Sequence, residues 1–128
     1  MPRQKMLYIE LKSNSADQGP AWIGLATLSG SGRTIYFNGK ALKRIPRGGI
    51  SGNYYDLETG EEYWISGVKK DGSDRHWTGG GVVMVDSRVL EEYLSLRGLS
   101  ELNSRTHQVT SVDESDISRF HEMENETP

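Results

Sequence analysis

Asn38 and Gly39 constrain this chain more than any other pair of residues, because they separate two short extended runs at 34–37 and 40–45. Both central residues of a type I′ turn need a positive φ, and Asn followed by Gly meets that need at low steric cost. The segment therefore predicts a tight antiparallel hairpin.

Short extended runs separated by turn-forming residues occupy most of the remaining body. Residues 6–12 and 21–28 predict two strands, and residues 53–68 predict two more, joined near Gly60, which tolerates a left-handed conformation. Short strands joined mostly by tight turns favour a mainly β fold, a small antiparallel meander that forms a barrel or a rolled sheet.

The strand predicted around Trp64 carries a specific expectation about side-chain direction. Neighbouring residues on a strand point to opposite faces, so only one of Trp64 and Ile65 should lie mainly in the core. Tyr63 should share the face of Ile65.

One helix is predicted after the last apolar run. Asp86 is a good N-cap, Gly98 is a natural stop, and apolar side chains between them recur at helical spacing, which places the helix at residues 86–97. We therefore divide the chain into a β-rich domain at 4–98 and an acidic tail at 99–128. The tail has few core-forming side chains, so we expect it to be largely disordered and dispensable for folding.

Charge is distributed unevenly between these two parts. Residues 1–98 contain 13 Lys and Arg against 11 Asp and Glu, whereas residues 99–128 contain 2 against 7. A mildly basic body joined to an acidic tail raises the question whether the tail masks basic turns of the body.

The absence of cysteine and the spacing of the three histidines remove several classes of site. Without cysteine there is no disulfide framework, thiolate zinc site, iron–sulfur cluster or cysteine nucleophile. His76, His107 and His121 form no local metal motif, so we expect no metal site. No apolar window approaches the length of a membrane span or of a signal-peptide core, so we expect a cytoplasmic protein without membrane contact.

The strongest catalytic candidate is the run Ser-Asp-Arg-His-Trp, in which Asp74 and His76 are two residues apart. Such a pair can act as a general base, but short Asp-x-His pairs are common in turns, and no nucleophile motif such as G-x-S-x-G accompanies it. The glycines form neither a phosphate-binding nor a dinucleotide-binding motif, so no cofactor is expected. A small enzyme that uses Asp74 and His76 is the third hypothesis, behind two kinds of binding module.

Two groups of basic residues interleaved with aromatic residues form the best candidate binding site. One group follows the Asn-Gly turn, and the other surrounds a second hairpin-type dipeptide, Asp71-Gly72. With an adjacent tryptophan, the candidate binding residues are Lys40, Lys43, Arg44, Arg47, Lys69, Lys70, Arg75, His76 and Trp77. If the meander closes, both groups can converge on a groove where exposed rings stack on bases, as in barrels that bind single strands. The alternative is that the rings fill the core and the basic turns are ordinary solvated edges.

The strings GRTIYFNGKALKRI and GISGNYYDLETGEEYWISGVKKDGSDRHWTGGG resemble a family of short uncharacterised bacterial proteins. The resemblance covers roughly residues 6–95 and implies no established activity for particular positions. Some members carry the label 1-deoxy-D-xylulose-5-phosphate synthase, but a thiamine-diphosphate enzyme must enclose its cofactor between substantial α/β domains. This chain has neither the length nor the strand–helix alternation for such domains, so the label indicates a mis-annotation.

A non-catalytic module that recognises a protein partner is favoured over one that binds nucleic acid or another anionic ligand. Recognition of a protein needs exposed aromatic surface or an open sheet edge. Recognition of an anion needs the basic turns at 40–47 and 69–76 to share one face. The net charge of only +2 over residues 1–98 does not favour tight binding driven by phosphate contacts alone. The oligomeric state and the identity of the partner are left open.

Overall fold

The structure is a computed structural model that describes residues 3–12, 20–48, 52–71 and 82–120. Strands and one short helix account for most of the described residues. They are β1 (Arg3–Leu11), β2 (Ala21–Leu28), β3 (Thr34–Phe37), β4 (Lys40–Arg44), β5 (Tyr54–Asp56), β6 (Glu62–Gly67), β7 (Val83–Asp86), α1 (Leu90–Arg97) and β8 (His107–Thr110).

The first six strands form a closed antiparallel barrel. Each of these strands pairs with the next one along the chain, and β1 pairs with both β2 and β6, so the sheet closes on itself. Leu7 of β1, for example, lies opposite Gly24 of β2 on one side and Gly67 of β6 on the other. The mainly β antiparallel barrel predicted from the spacing of strands and turns is therefore confirmed.

The hairpin predicted at Asn38 and Gly39 is also confirmed. The φ angles of these residues are 52° and 74°, as a type I′ turn requires. Gly60 has a φ of 76° in the β5–β6 connection, where its N–H donates to the carbonyl oxygen of Asp56 at 2.8 Å. Gly72 lies outside the described residues, so the second hairpin stays a prediction.

The barrel interior contains the first hydrophobic core. Its side chains alternate along the strands and are Leu7, Ile9, Ala26, Ile35, Phe37, Leu42, Tyr63 and Ile65. Gly24 lies under the Phe37 ring, and a Cβ atom at this position would overlap that ring. On β6, Tyr63 and Ile65 are buried while the Trp64 side chain is 43% exposed, which confirms the predicted alternation.

A second core lies on the outer side of β1 and β2. β7 pairs in parallel with the first half of β2, at residues 21–23, and β8 pairs in parallel with β7. Together with α1 these strands bury Tyr8, Ala21, Ile23, Val83, Val85, Val89 and Tyr93. The sequence indicated a meander without parallel pairs. Parallel pairing needs long connections, and long stretches of chain separate β2 from β7 and β7 from β8.

The predicted helix has both of its expected boundaries. The Asp86 side chain caps the N-terminus, where Oδ1 accepts a hydrogen bond from the Arg88 N–H at 3.0 Å. The first turn, Ser87–Val89, is a 3₁₀ helix that leads into α1. Gly98 ends the helix with a left-handed φ of 66°. No helix among the described residues has the length and apolar character needed to span a bilayer.

Asp86 also connects the helix to the barrel. Its Oδ2 atom accepts a hydrogen bond from the backbone N–H of Leu25 at 3.0 Å and one from Nη2 of Arg88 at 2.7 Å. Burial is the largest influence on the pKa of Asp86 and raises it, but the hydrogen bonds from Arg88 and Leu25 together outweigh burial and lower the pKa below its ordinary value. Asp86 is therefore an ionised carboxylate in a fully buried position at neutral pH.

Residues 99–120 are more ordered than the predicted tail. They contribute β8 to the sheet, and they place a fully buried Phe120 against Tyr36 and Ala41 on the outer face of the β3–β4 hairpin. Ordered structure therefore continues past Gly98. Composition did not predict this because the apolar contacts of the segment are few, and they are made with a surface that the barrel provides: Ile117 packs beside Phe120, and Val112 packs against the first core. Residues 121–128 lie outside the described residues.

We call residues 111–120 the strap, because they cross the turn of the β3–β4 hairpin. The Asp113 N–H donates to Oδ1 of Asn38 at 3.3 Å. The Ser115 hydroxyl donates to the carbonyl oxygen of Lys40 at 2.7 Å. The strap therefore follows the hairpin from its turn toward the buried contact of Phe120.

Candidate functional site

A cleft of ≈600 Å³ lies at the ends of β3, β4 and β5 that are distant from the Asn38 turn. We call it the basic cleft. It is lined by Ser31, Arg33, Lys43, Arg44, Pro46, Arg47 and Tyr55. Three of its cations, Lys43, Arg44 and Arg47, belong to the binding residues predicted from the sequence.

Strand pairing brings the basic cleft together from separate parts of the chain. Lys43 pairs with Thr34 on one side and with Tyr55 on the other, so these residues form one row across three strands. The Arg44 N–H donates to the carbonyl oxygen of Arg33 at 2.8 Å. Arg33 was not among the candidates predicted from the sequence, although the register of the predicted hairpin already places residue 33 beside residue 44.

Arg47 occupies an unusual backbone conformation at the mouth of the basic cleft. The Gly48 N–H donates to the carbonyl oxygen of Ile45 at 3.0 Å, which closes a four-residue turn with Pro46 and Arg47 at its centre. Proline suits the second position of such a turn, whereas the third position requires a positive φ and favours glycine. Arg47 nevertheless occupies the third position, with a φ of 66°.

Replacing Arg47 with glycine should therefore stabilise the protein. A left-handed conformation costs a non-glycine residue about 1 kcal/mol, so we expect Arg47→Gly to raise the free energy of unfolding by up to about 1 kcal/mol in urea titrations. Arg47→Ala is the matched control, since it removes the same charge but keeps the unfavourable φ. Equal stability of the two variants would contradict the assignment of strain to this residue.

Lys40, also a predicted binding residue, belongs to a different environment. Its Nζ atom lies 3.5 Å from Oδ2 of Asp56, a buried carboxylate on the interior side of β5. The other oxygen of Asp56 accepts a hydrogen bond from the Glu58 N–H at 2.8 Å. Lys40 therefore balances a buried charge of the barrel instead of joining the basic cleft.

The second predicted basic group is described only in part. Lys69 and Lys70 follow β6 and are exposed, and neither of them lines the basic cleft. Outside the described residues lie Asp74, Arg75, His76 and Trp77. Convergence of the second group with the first therefore stays a prediction, as does any catalytic role of Asp74 and His76.

A chain of hydrogen bonds around His107 is a second polar cluster, which the sequence did not reveal. Arg97 donates from Nη1 to the Tyr93 hydroxyl oxygen at 2.7 Å. The Tyr93 hydroxyl also lies within hydrogen-bond distance of Nε2 of His107, at 3.2 Å. Nδ1 of the same ring lies 2.8 Å from the Thr106 hydroxyl. Burial lowers the pKa of His107, and the charge of Arg97 lowers it further, so the ring is neutral at pH 7.

The His107 cluster borders a cleft of ≈520 Å³ formed by α1 and the chain that follows it. Both ring nitrogens of His107 are engaged by protein side chains, so the cluster attaches β8 to α1 and leaves no ring nitrogen for a ligand. Within the described ranges, no three His, Asp or Glu side chains are grouped in a way that would hold a metal ion. The basic cleft is therefore the better candidate for a binding site.

Comparison with known proteins does not indicate what this site binds. No protein-family model matches the chain, and no curated protein or solved structure matches it either. The function is therefore argued from the chemistry of the basic cleft.

Proposed function

We propose that this protein is a non-catalytic binding module whose basic cleft holds phosphate groups of an anionic ligand. The charge of the cleft carries the proposal. Arg33, Lys43, Arg44 and Arg47 share it, and none of them forms an ion pair with a carboxylate in the described part of the chain. Cations held close together repel one another, and a bound anion reduces that repulsion.

The residue types in the basic cleft suit phosphate. An arginine side chain presents planar N–H donors that bind two phosphate oxygens at once, and three of the four cations are arginines. The left-handed conformation of Arg47 supports the same interpretation, because unfavourable backbone conformations persist where a function requires them. Tyr55 adds a phenol ring and a hydroxyl group to the row that contains Lys43.

The strap does not neutralise the basic cleft within the described residues. Asp113 contacts Asn38, and Ser115 contacts Lys40, at the turn end of the hairpin. Lys43 lies three residues further along β4, about 10 Å away along the strand. Asp113 is therefore displaced from the cations of the cleft.

Removing two cleft cations should change how binding depends on salt. We expect Lys43→Ala/Arg44→Ala to flatten the slope of log K against log salt by roughly 1.4 for a single-stranded oligonucleotide and 1.8 for a duplex, because about two phosphate contacts are lost. The measurement is a fluorescence-anisotropy titration of labelled oligonucleotides from ~50 mM salt upward, where phosphate contacts contribute most.

A control variant that loses the same charge outside the basic cleft distinguishes an effect of the cleft on binding from an effect of net charge. Lys5 and Arg105 are exposed and lie outside the cleft, so Lys5→Ala/Arg105→Ala should keep a slope close to that of the original protein. Equal slopes for the two double variants would contradict the proposal, and so would failure of both oligonucleotides and inorganic tripolyphosphate to bind at ~50 mM salt.

A protein partner is the second candidate, and one observation favours it. In the closed barrel, each strand has a neighbouring strand on both sides. β8 is the last strand of the sheet, so one of its edges has no neighbouring strand among the described residues. Val109 on β8 is 48% exposed. An open edge strand accepts a strand from another chain through backbone hydrogen bonds. Protection of the amide hydrogens of residues 107–110 on adding a partner would support this alternative, and an anion in the basic cleft should not produce it.

A further inference from the structure

The outer face of the barrel next to the basic cleft carries two aromatic side chains on neighbouring strands. Tyr55 of β5 pairs with Glu62 of β6, and Trp64 is two residues further along β6. Because side chains on a strand alternate between faces, Tyr55 and Trp64 point to the same side. That side is the outer one, since Tyr54 and Tyr63 pack against the interior core.

The two rings are close enough to contact one ligand. Their positions are diagonal neighbours across an antiparallel pair, which places them about 7–8 Å apart. Tyr55 also lies directly opposite Lys43 on β4, so the aromatic pair continues the row of cleft residues around the barrel. Trp64 is exposed and lies on β6, the strand that pairs with β5, whereas the other large exposed apolar side chains of the described residues, Leu99 and Val109, lie after α1 and on β8.

The acidic side chains next to these rings are already engaged within the protein. Glu10, opposite Trp64, is buried and forms an ion pair with Lys12 at 2.8 Å, so a cation balances its charge. Glu62 accepts a hydrogen bond from the Gly52 N–H at 2.9 Å, which holds its carboxylate against the backbone but leaves its charge in place. Phosphates of a ligand are therefore expected on the side of Lys43, and bases on the side of Trp64.

We propose, on the basis of the proposed function, that the anionic ligand is single-stranded nucleic acid. The cations of the basic cleft bind its phosphates, and Tyr55 and Trp64 stack on its bases. Stacking requires the face of an unpaired base, which a duplex keeps inside its own stack and an inorganic phosphate lacks. Sequence preference should be weak, because every base offers a ring face to an aromatic platform.

The test compares three ligands with one set of variants. The ligands are a labelled single-stranded 12-mer of thymidine, a duplex of the same length, and inorganic tripolyphosphate as a competitor. All three present phosphate groups, but only the single strand presents accessible bases. We expect the single strand to bind more tightly than the duplex. Trp64→Ala should weaken binding of the single strand about 5- to 150-fold, the loss expected for one stacked base.

Matched variants distinguish stacking from charge and from misfolding. Trp64→Phe keeps a ring and should retain most of the affinity for the single strand, while Leu99→Ala removes exposed apolar surface elsewhere and should leave it unchanged. Trp64→Ala should not alter the inhibition constant of tripolyphosphate, whereas Lys43→Ala/Arg44→Ala should raise it.

Two outcomes overturn the proposal in different ways. If the duplex binds as tightly as the single strand and Trp64→Ala has no effect, the assignment to single-stranded nucleic acid is wrong while phosphate binding in the basic cleft stands. If neither oligonucleotides nor tripolyphosphate bind, the proposed function fails and the present proposal fails with it.

Discussion

Replacing Phe120 with alanine is expected to lower the free energy of unfolding by about 3 kcal/mol. The ring is fully buried against Tyr36 and Ala41, although it belongs to a stretch whose composition predicted disorder. Removing a buried phenyl group costs its transfer free energy and leaves a cavity. In a domain of this size the expected decrease in the melting temperature is about 10 °C, measurable by circular dichroism during heating.

Two controls show whether the loss comes from the buried ring. Phe120→Leu keeps apolar volume in the same place and should lose less than half as much stability. Val109→Ala changes an exposed apolar residue of the same C-terminal stretch and should stay within ~0.5 kcal/mol of the original protein. If Phe120→Ala also stays within that range, the strap does not contribute to stability in solution.

Replacing Asp86 with alanine is expected to cost about 3 kcal/mol as well. The carboxylate accepts backbone hydrogen bonds from Arg88 and Leu25, and it balances the charge of the Arg88 side chain. Alanine removes the helix cap and leaves donors without an acceptor, and each unsatisfied buried group costs about 1–3 kcal/mol. Urea unfolding at pH 7 measures the loss.

Asp86→Asn and Ser87→Ala are the matched variants for this prediction. Asn keeps one carbonyl oxygen as an acceptor and should lose less stability than Ala, and Ser87 is exposed and should tolerate replacement. Because the pKa of Asp86 is lowered on folding, its contribution is present above the ordinary pKa and is lost as the pH falls below it. Acid unfolding that is as steep in Asp86→Asn as in the original protein would contradict this role.

The parts of the fold that could be predicted from the sequence depend on local signals. The turn at Asn38 and Gly39 requires a backbone conformation that these residues adopt readily, and the helix cap at Asp86 forms between residues close in sequence. The alternation between Trp64 and Ile65 follows from strand geometry alone. Such features need no knowledge of the distant chain.

The parallel strands and the strap depend on distant partners, and local signals did not predict them. β8 has only four residues, and its pairing partner β7 lies on the other side of α1. Phe120 is buried because the outer face of the hairpin presents Tyr36 and Ala41, and Ile117 packs against the same cluster. Composition averages over a mostly polar segment and does not detect a few well-placed apolar contacts.

Only part of the candidate site could be predicted from the sequence, because some of its residues come together through distant contacts. Lys43, Arg44 and Arg47 are close in sequence and follow a recognisable turn, so their grouping was apparent. Arg33 joins them only through the register of β3 and β4. Lys40 has the same charge and lies on the same strand, yet the buried carboxylate of Asp56 decides its role.

The divided pairing of β2 links the unfolding of the two halves of the sheet. Residues 21–23 of this strand pair with β7, Thr27 and Leu28 pair with β3, and β1 covers the other side along its whole length. Detaching the parallel strands would expose backbone groups of a strand that the barrel also needs for closure. The barrel and its parallel extension should therefore melt as one cooperative unit, without an intermediate in which only one of them remains.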